Sequence, residues 1–155
     1  MAHHYALTTE WTGNTGTGTD GYRNYKREHI IRVPNKPDLS GSADPSFRGD
    51  PSRHNPEELL VAALSACHML SYLHVCVKNR VVVTAYTDNA TGTMETIGDG
   101  GRMTEVVLHP VVSVRDASMV EKAQSLHGEA SKLCFIASSV NFPVRHDPTC
   151  RADQD

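Results

Sequence analysis

At 155 residues with 39% hydrophobic content, the chain has the size and apolar material of one compact domain, so a single domain over residues 1–155 is expected. Fifteen Lys plus Arg against 18 Asp plus Glu leave a formal charge of -3, which lacks the basic excess of a nucleic-acid binder. Met1 to Glu10 has no positive stretch followed by an apolar block, so no secretory signal is read there and the cytoplasm is the expected location.

From the N-terminus, residues 3–11 alternate loosely and end at Trp11, and the run Thr12 to Gly21 is dense in turn residues. Tyr22 to Val33 then reads as an edge-like return strand with imperfect alternation. Pro34 to Asn55 holds four prolines and two glycines, the composition of an ordered loop or short strand. Asn55-Pro56-Glu57-Glu58 is a strong helix start: Asn caps, Pro tolerates the first turn, and two carboxylates oppose the positive helix end. This helix is expected to reach about Lys78. Leu59 to Val77 is apolar on nearly all sides, which suits burial in protein; a membrane span is disfavoured by histidines near mid-span.

Val81 to Tyr86 reads as a strand, Asp88 to Gly92 as a turn, and Asp99-Gly100-Gly101 as a second turn before a long strand from Met103 to Val114. Pro110 places a sheet edge or bulge in that strand. Asp116 to Leu133 has helical spacing through Val120, Ala123, Leu126, Ala130 and Leu133, predicting a second long helix that Cys134 to Ala137 continues or kinks. Val140 to Arg145 returns as a short strand before a polar tail. The order of elements is an α+β pattern without internal repeats.

Four cysteines stand at 67, 76, 134 and 150. No Cys-x-x-Cys pair is present, which argues against structural zinc, while nine histidines leave a looser metal site as an alternative. At helical spacing Cys67 shares a face with Leu60, Ala63, Ser71 and His74. Cys76 faces the opposite way and reads as a core thiol. Cys150, beside Arg151 in the polar tail, reads as exposed and incidental.

The segment Asn55-Pro56-Glu57-Glu58-Leu59-Leu60 through Ala63-Leu64-Ser65-Ala66-Cys67 resembles the osmotically inducible protein C and organic hydroperoxide resistance family (OsmC/Ohr). So do Leu126-His127, Cys134-Phe135-Ile136-Ala137, Ser139 to Val144, Trp11-Thr12-Gly13-Asn14, and the turn at Tyr86-Thr87-Asp88 with Gly92. The resemblance implies an OsmC-like fold, with antiparallel sheets wrapped around long central helices in an intertwined homodimer. It also implies a cysteine peroxidase without metal or other cofactor. Cys67 matches the attacking thiolate and Cys134 the resolving thiol, which closes an intrachain disulfide on the Cys67 sulfenic acid. An external dithiol, a lipoyl protein or a small thiol, is the expected reductant, and organic hydroperoxides the expected substrates.

In that family an arginine and a glutamate serve the attacking cysteine. Glu57 matches the glutamate; for the arginine, Arg48 is the first candidate and Arg27 the second. Ten residues at about 1.5 Å rise put Glu57 roughly 15 Å along the helix from Cys67, so an antiparallel pairing of two such helices across a twofold axis is needed to join them. Leu60, Leu64, Met69 and Phe142 are candidate apolar walls for an alkyl hydroperoxide. Two other classes remain at this point: a non-catalytic module binding hydrophobic ligands, and a metal-dependent hydrolase built on His68, His74 and His127.

Overall fold

The structure, a computed structural model, describes residues 1–154, and the chain divides into two compact units, Met1–Leu59 and Leu60–Asp155.

In the first unit, strands β1 (Thr8–Trp11), β2 (His29–Arg32) and β3 (Leu39–Gly41) form an antiparallel sheet in that order, with Trp11 opposite His29. The connection from Thr12 to Glu28 is ordered by its own side chains. Asn14 Oδ1 accepts from the backbone N–H groups of Gly16 and Gly18 at 2.9 and 3.0 Å, and Trp11 Nε1 donates to the Lys26 carbonyl at 2.8 Å. The return strand is shorter than the Tyr22–Val33 expected from sequence. The carbonyls of Tyr22 and Tyr25 accept from the Arg27 guanidinium at 2.8 and 2.6 Å, so this stretch wraps a cation and only His29–Arg32 joins the ladder.

Helix α1 (Pro56–Lys78) has the bounds its sequence predicts. Asn55 Oδ1 accepts from the Glu58 N–H at 2.9 Å while Asn55 Nδ2 donates to Glu58 Oε1 at 2.9 Å, a reciprocal cap that satisfies orphan groups of the first turn. The helix is long and apolar enough to span a membrane, yet Leu64, His68, Tyr72, Val75 and Cys76 form a stripe buried in protein. Burial on all sides does not hold for this chain: Leu70 is 63% and Val77 75% exposed.

The second unit holds two three-stranded sheets. One has the order β4 (Val83–Asp88), β7 (Pro110–Val114), β9 (Thr149–Ala152); the other β5 (Thr91–Ile97), β6 (Gly100–Leu108), β8 (Val144–His146). The β4–β7 and β5–β6 pairs are antiparallel, but β8 and β9 join in parallel, so these sheets are mixed where antiparallel ones were expected. The long strand expected from Met103 to Val114 is two strands. Pro110 has no N–H to donate, and the N–H of His109 goes to Asp88 Oδ1 at 2.6 Å instead of to a ladder, so the chain leaves one sheet at Leu108 and enters the other at Pro110. Thr91–Ile97, without a sequence reading of its own, pairs with Gly100–Leu108 as a hairpin, and the polar tail forms β9.

The second long helix is also divided, into α2 (Val120–Ser125) and α3 (His127–Leu133) after a short 3₁₀ turn at Ala117–Met119. The cause is a hydrogen-bond diversion. The Ala123 carbonyl, which a continuous helix would offer to the N–H of residue 127, accepts from the Tyr72 hydroxyl at 3.0 Å and from the Leu126 N–H at 3.4 Å.

Two apolar clusters make the core of this unit. Tyr72, Val75, Cys76, Val81, Val112, Val114, Ala123, Leu126 and Ala130 form the larger one. Leu64, Val106 and Leu108 form the smaller, with Leu60, Ile136, Val140 and Phe142 packed against it.

Candidate active site

Cys67 lies mid-way along α1, half-buried. Cys134 is the residue that ends α3: its ψ of 109° turns the backbone out of the helix, and its side chain is 1% exposed. The two thiols are free and near enough to interact: burial first, and then the Cys67 thiol, push the Cys134 thiol above its ordinary pKa, so it is held protonated at neutral pH. The Ala137 N–H donates to Cys134 Sγ at 3.4 Å, and the N–H and hydroxyl of Ser138 both donate to the Cys134 carbonyl at 3.1 Å, which pins the residue at the helix end. Leu60 and Leu64, two turns and one turn before Cys67, and Ile136 and Ala137, just after Cys134, belong to the smaller apolar cluster with Phe142. The cysteine pair therefore opens against an apolar wall.

Beside the pair is a polar layer whose extent the sequence did not reveal. His68 and His127 are 2% and 1% exposed, and their Nε2 and Nδ1 atoms are 3.0 Å apart. His127 stacks on the Tyr72 ring at 3.9 Å between centroids, and His146 of β8 lies 5.7 Å from His68 and 6.2 Å from His127. Burial, then the neighbouring His146, push His68 down to about 4; burial, then His68 and His146, push His127 down to about 3. Both rings are neutral at pH 7. Burial raises the Tyr72 and Tyr86 hydroxyls well above the ordinary phenol value. Asp88, at the end of β4, accepts from Ser65 Oγ at 2.6 Å as well as from His109 N–H, so its carboxylate ties α1 to the junction of β6 and β7.

The hydrolase set named from sequence does not assemble. His68 and His127 meet, but the donor atoms they turn to each other form a hydrogen bond, and His74 stands exposed on α1 while His146 takes the third place. Among the described residues no group of three His, Cys, Asp or Glu side chains is arranged to hold a metal ion. The nearness of His127 and Cys134 was legible only as a seven-residue spacing, two helical turns; Asp88 was singled out only as part of a family-like turn, and His146 and Tyr72 carried no signal before the fold was known.

The remaining candidates lie in the first unit. Glu57 stands in the first turn of α1, with Oε2 buried and without a hydrogen-bond partner among the described residues. Arg27 is held over the Tyr25 ring at 3.9 Å and the Tyr22 ring at 4.7 Å, besides its two carbonyl contacts. Arg48 is exposed in the left-handed region at φ 65°, after the 3₁₀ turn Pro45–Phe47, and lines a surface groove with Arg23, Lys26 and Asp50. Gly49 follows it because a Cβ there would overlap the Ala43 carbonyl.

The two cysteines outside the pair differ from each other. Cys76 is 1% exposed and packs in the larger cluster, as its place on α1 predicts. Cys150 is not the exposed tail residue expected. It sits on β9 opposite Val112, half-buried against the same cluster, and burial raises its thiol.

Comparison with known proteins agrees with this architecture. The family model described as OsmC-like protein matches residues 49–148. An OsmC-like protein of unknown function from Vibrio cholerae is similar at 32% identity over 95% of this chain and 99% of its own, with a TM-score of 0.83. Two more distant structures share the fold. One is an organic hydroperoxide resistance protein from Elizabethkingia anophelis, at 18% identity, 99% and 100% coverage and a TM-score of 0.68. The other is an organic hydroperoxide resistance protein from Legionella pneumophila, at 14% identity, 97% and 98% coverage and a TM-score of 0.69. No curated protein matches the chain. On the family match and the Vibrio cholerae relative together, the chain belongs to the OsmC-like family.

Proposed function

We propose that this chain is a thiol-dependent peroxidase that reduces organic hydroperoxides. The observation that carries the reading is the meeting of two free thiols from different elements, Cys67 and Cys134, against an apolar cluster. The Cys67 thiolate attacks the distal oxygen of ROOH, the O–O bond breaks, and Cys67 becomes a sulfenic acid as RO⁻ leaves and takes a proton to give ROH. Cys134, kept as a thiol by burial, then loses its proton and attacks the Cys67 sulfur; the S–O bond breaks, water leaves and a disulfide remains. An external dithiol returns both residues to thiols. The names of the Elizabethkingia anophelis and Legionella pneumophila structures, organic hydroperoxide resistance proteins, support the substrate class. Leu60, Leu64 and Phe142 supply apolar surface for an alkyl group.

The reading includes a homodimer in the reducing cytoplasm. The exposed stripe Ala62, Ala66, Leu70 and Val77 on α1 is apolar, and a second copy of the same helix would cover it. Such a pairing gives Glu57 of one subunit a route to Cys67 of the other, with Arg48 or Arg27 as the cation that favours thiolate. The buried, unpartnered Glu57 Oε2 fits a guanidinium partner.

The test is peptide mapping after one equivalent of cumene hydroperoxide. A Cys67–Cys134 disulfide and loss of turnover in Cys67→Ser are expected; unchanged free thiols at both positions refute the reading. A module that merely binds hydrophobic ligands through the same apolar cluster would keep its ligand in Cys67→Ser.

A further inference from the structure

We propose that the buried hydrogen bond between His68 and His127 is the positioning device that holds Cys134 against Cys67 for disulfide closure, an inference that rests on the thiol-peroxidase reading. The argument begins with α3, which is seven residues long and cut off from α2 because Tyr72 takes the Ala123 carbonyl. A helix that short does not inherit its direction from its neighbour; its own contacts set it. His127 is its first residue and Cys134 the residue after its last, two turns apart and so on one face. His68 immediately follows Cys67 on α1. The 3.0 Å bond between the rings thus ties the start of α3 to α1 at the level of the attacking cysteine, and Cys134 closes the other end of the same short lever.

A disulfide tolerates little error in that lever, since its Cβ atoms must come within about 3.5–4.5 Å. The step it serves is balanced: the Cys67 sulfenic acid gives up its hydroxyl, Cys134 gives up its proton, the S–S bond forms and one water leaves. Neither imidazole exchanges a proton with sulfur in this scheme, so both act as positioning residues.

The bond also needs at least one neutral ring. One nitrogen donates and the other accepts; with both rings protonated, two N–H donors confront each other in a buried site. The ionisable groups that face the pair are His146 from β8, Asp88 from β4 and Tyr72 from α1, with Tyr86 of β4 against Tyr72. Of these, the Asp88 carboxylate favours a proton on His68 and a protonated His146 opposes one.

The test separates ring packing from the hydrogen bond. His127→Phe keeps an aromatic ring to stack on Tyr72 and removes the nitrogen; His127→Asn keeps a polar atom near the place of Nδ1. Each variant receives hydroperoxide, and the oxidised Cys67 is divided by mass spectrometry into disulfide and sulfinic acid, with thermal melting measured in parallel. Phe is expected to lower the ratio of disulfide to sulfinic acid by about tenfold or more, the usual result of misplacing a reacting group by an ångström, while Asn restores it. A wild-type ratio in His127→Phe overturns the inference and leaves the peroxidase reading intact; no Cys67–Cys134 disulfide in the wild type removes both. Should His127→Phe not fold, the same comparison at the other ring decides: His68→Phe is expected to lower the ratio and His68→Gln, which keeps a polar atom near the place of Nε2, to restore it, and a wild-type ratio in His68→Phe overturns the inference.

Discussion

Acidification from about pH 7.5 to about pH 5 is expected to lower the unfolding free energy of this protein by about 4 kcal/mol, through His68 and His127 alone. Both imidazoles are buried and hydrogen-bonded to each other, and their folded-state values are pushed down to about 4 and about 3. In the unfolded chain each takes a proton near its ordinary value of about 6.5. Above that pH neither state is protonated and no penalty exists. As pH falls below it the unfolded chain binds protons that the folded chain refuses, so stability drops until the folded-state values are reached. Each ring contributes a slope of about 1.4 kcal/mol per pH unit, and about one and a half units give about 2 kcal/mol per ring. Against a usual total of about 5–15 kcal/mol this is a large fraction. The carboxylates of Asp44 and Asp50, whose values are lowered by hydrogen bonds from Ser46 and Ser52, are ionised in both states at pH 5 and do not confuse the measurement. Equilibrium urea unfolding followed by far-UV circular dichroism at the two pH values is the assay, on wild type and on His127→Asn. The variant retains one titrating ring and should lose about 2 kcal/mol. A wild-type loss under about 1 kcal/mol, or equal losses in both proteins, refutes the reasoning.

Other consequences can be measured with the same preparations. Leu64→Ala removes a fully buried side chain packed with Val106 and Leu108 and is expected to cost about 2–5 kcal/mol in urea unfolding. Asn55→Ala removes the reciprocal cap of α1 and should cost about 1 kcal/mol, with Asn55→Asp recovering much of it; equal losses in both variants would deny the capping role. Gly101→Ala puts a Cβ into the Glu95 carbonyl across the β5–β6 pair and should lower the melting temperature, whereas Ala at Gly128, where a Cβ meets nothing, should not. Native alkylation followed by peptide mapping should modify half-buried Cys67 ahead of Cys76 and Cys134, each 1% exposed, and a reversed order would show that the thiol pair is arranged otherwise.

The limits of reading the sequence show best at particular residues. Helix α1 was legible at both ends because capping is local: Asn55, Pro56 and the first-turn carboxylates act within four residues of one another. Cys67 and Cys134 were legible because the residues around them resemble a known family, and the structure brings their thiols together. The division of the second helix at Leu126 was not legible, since apolar spacing runs through it unbroken and the agent is Tyr72, 51 positions away in sequence from Ala123. Cys150 was misread for the same reason. Its neighbours in sequence are polar, while its neighbour across the sheet is Val112.

Local chemistry, then, wrote the cap of α1, its apolar stripe, the places of Cys67 and Cys76 on it, and a turn read at Asp99–Gly101 that the fold sets one residue earlier, between β5 and β6. The tertiary structure decided which polar groups would lose water together: His68 and His127 become buried with half-buried His146 beside them, and Cys134 becomes a protonated thiol, only after three separate elements pack. Desolvation depends on everything that surrounds a group, and those surroundings come from positions far apart along the chain.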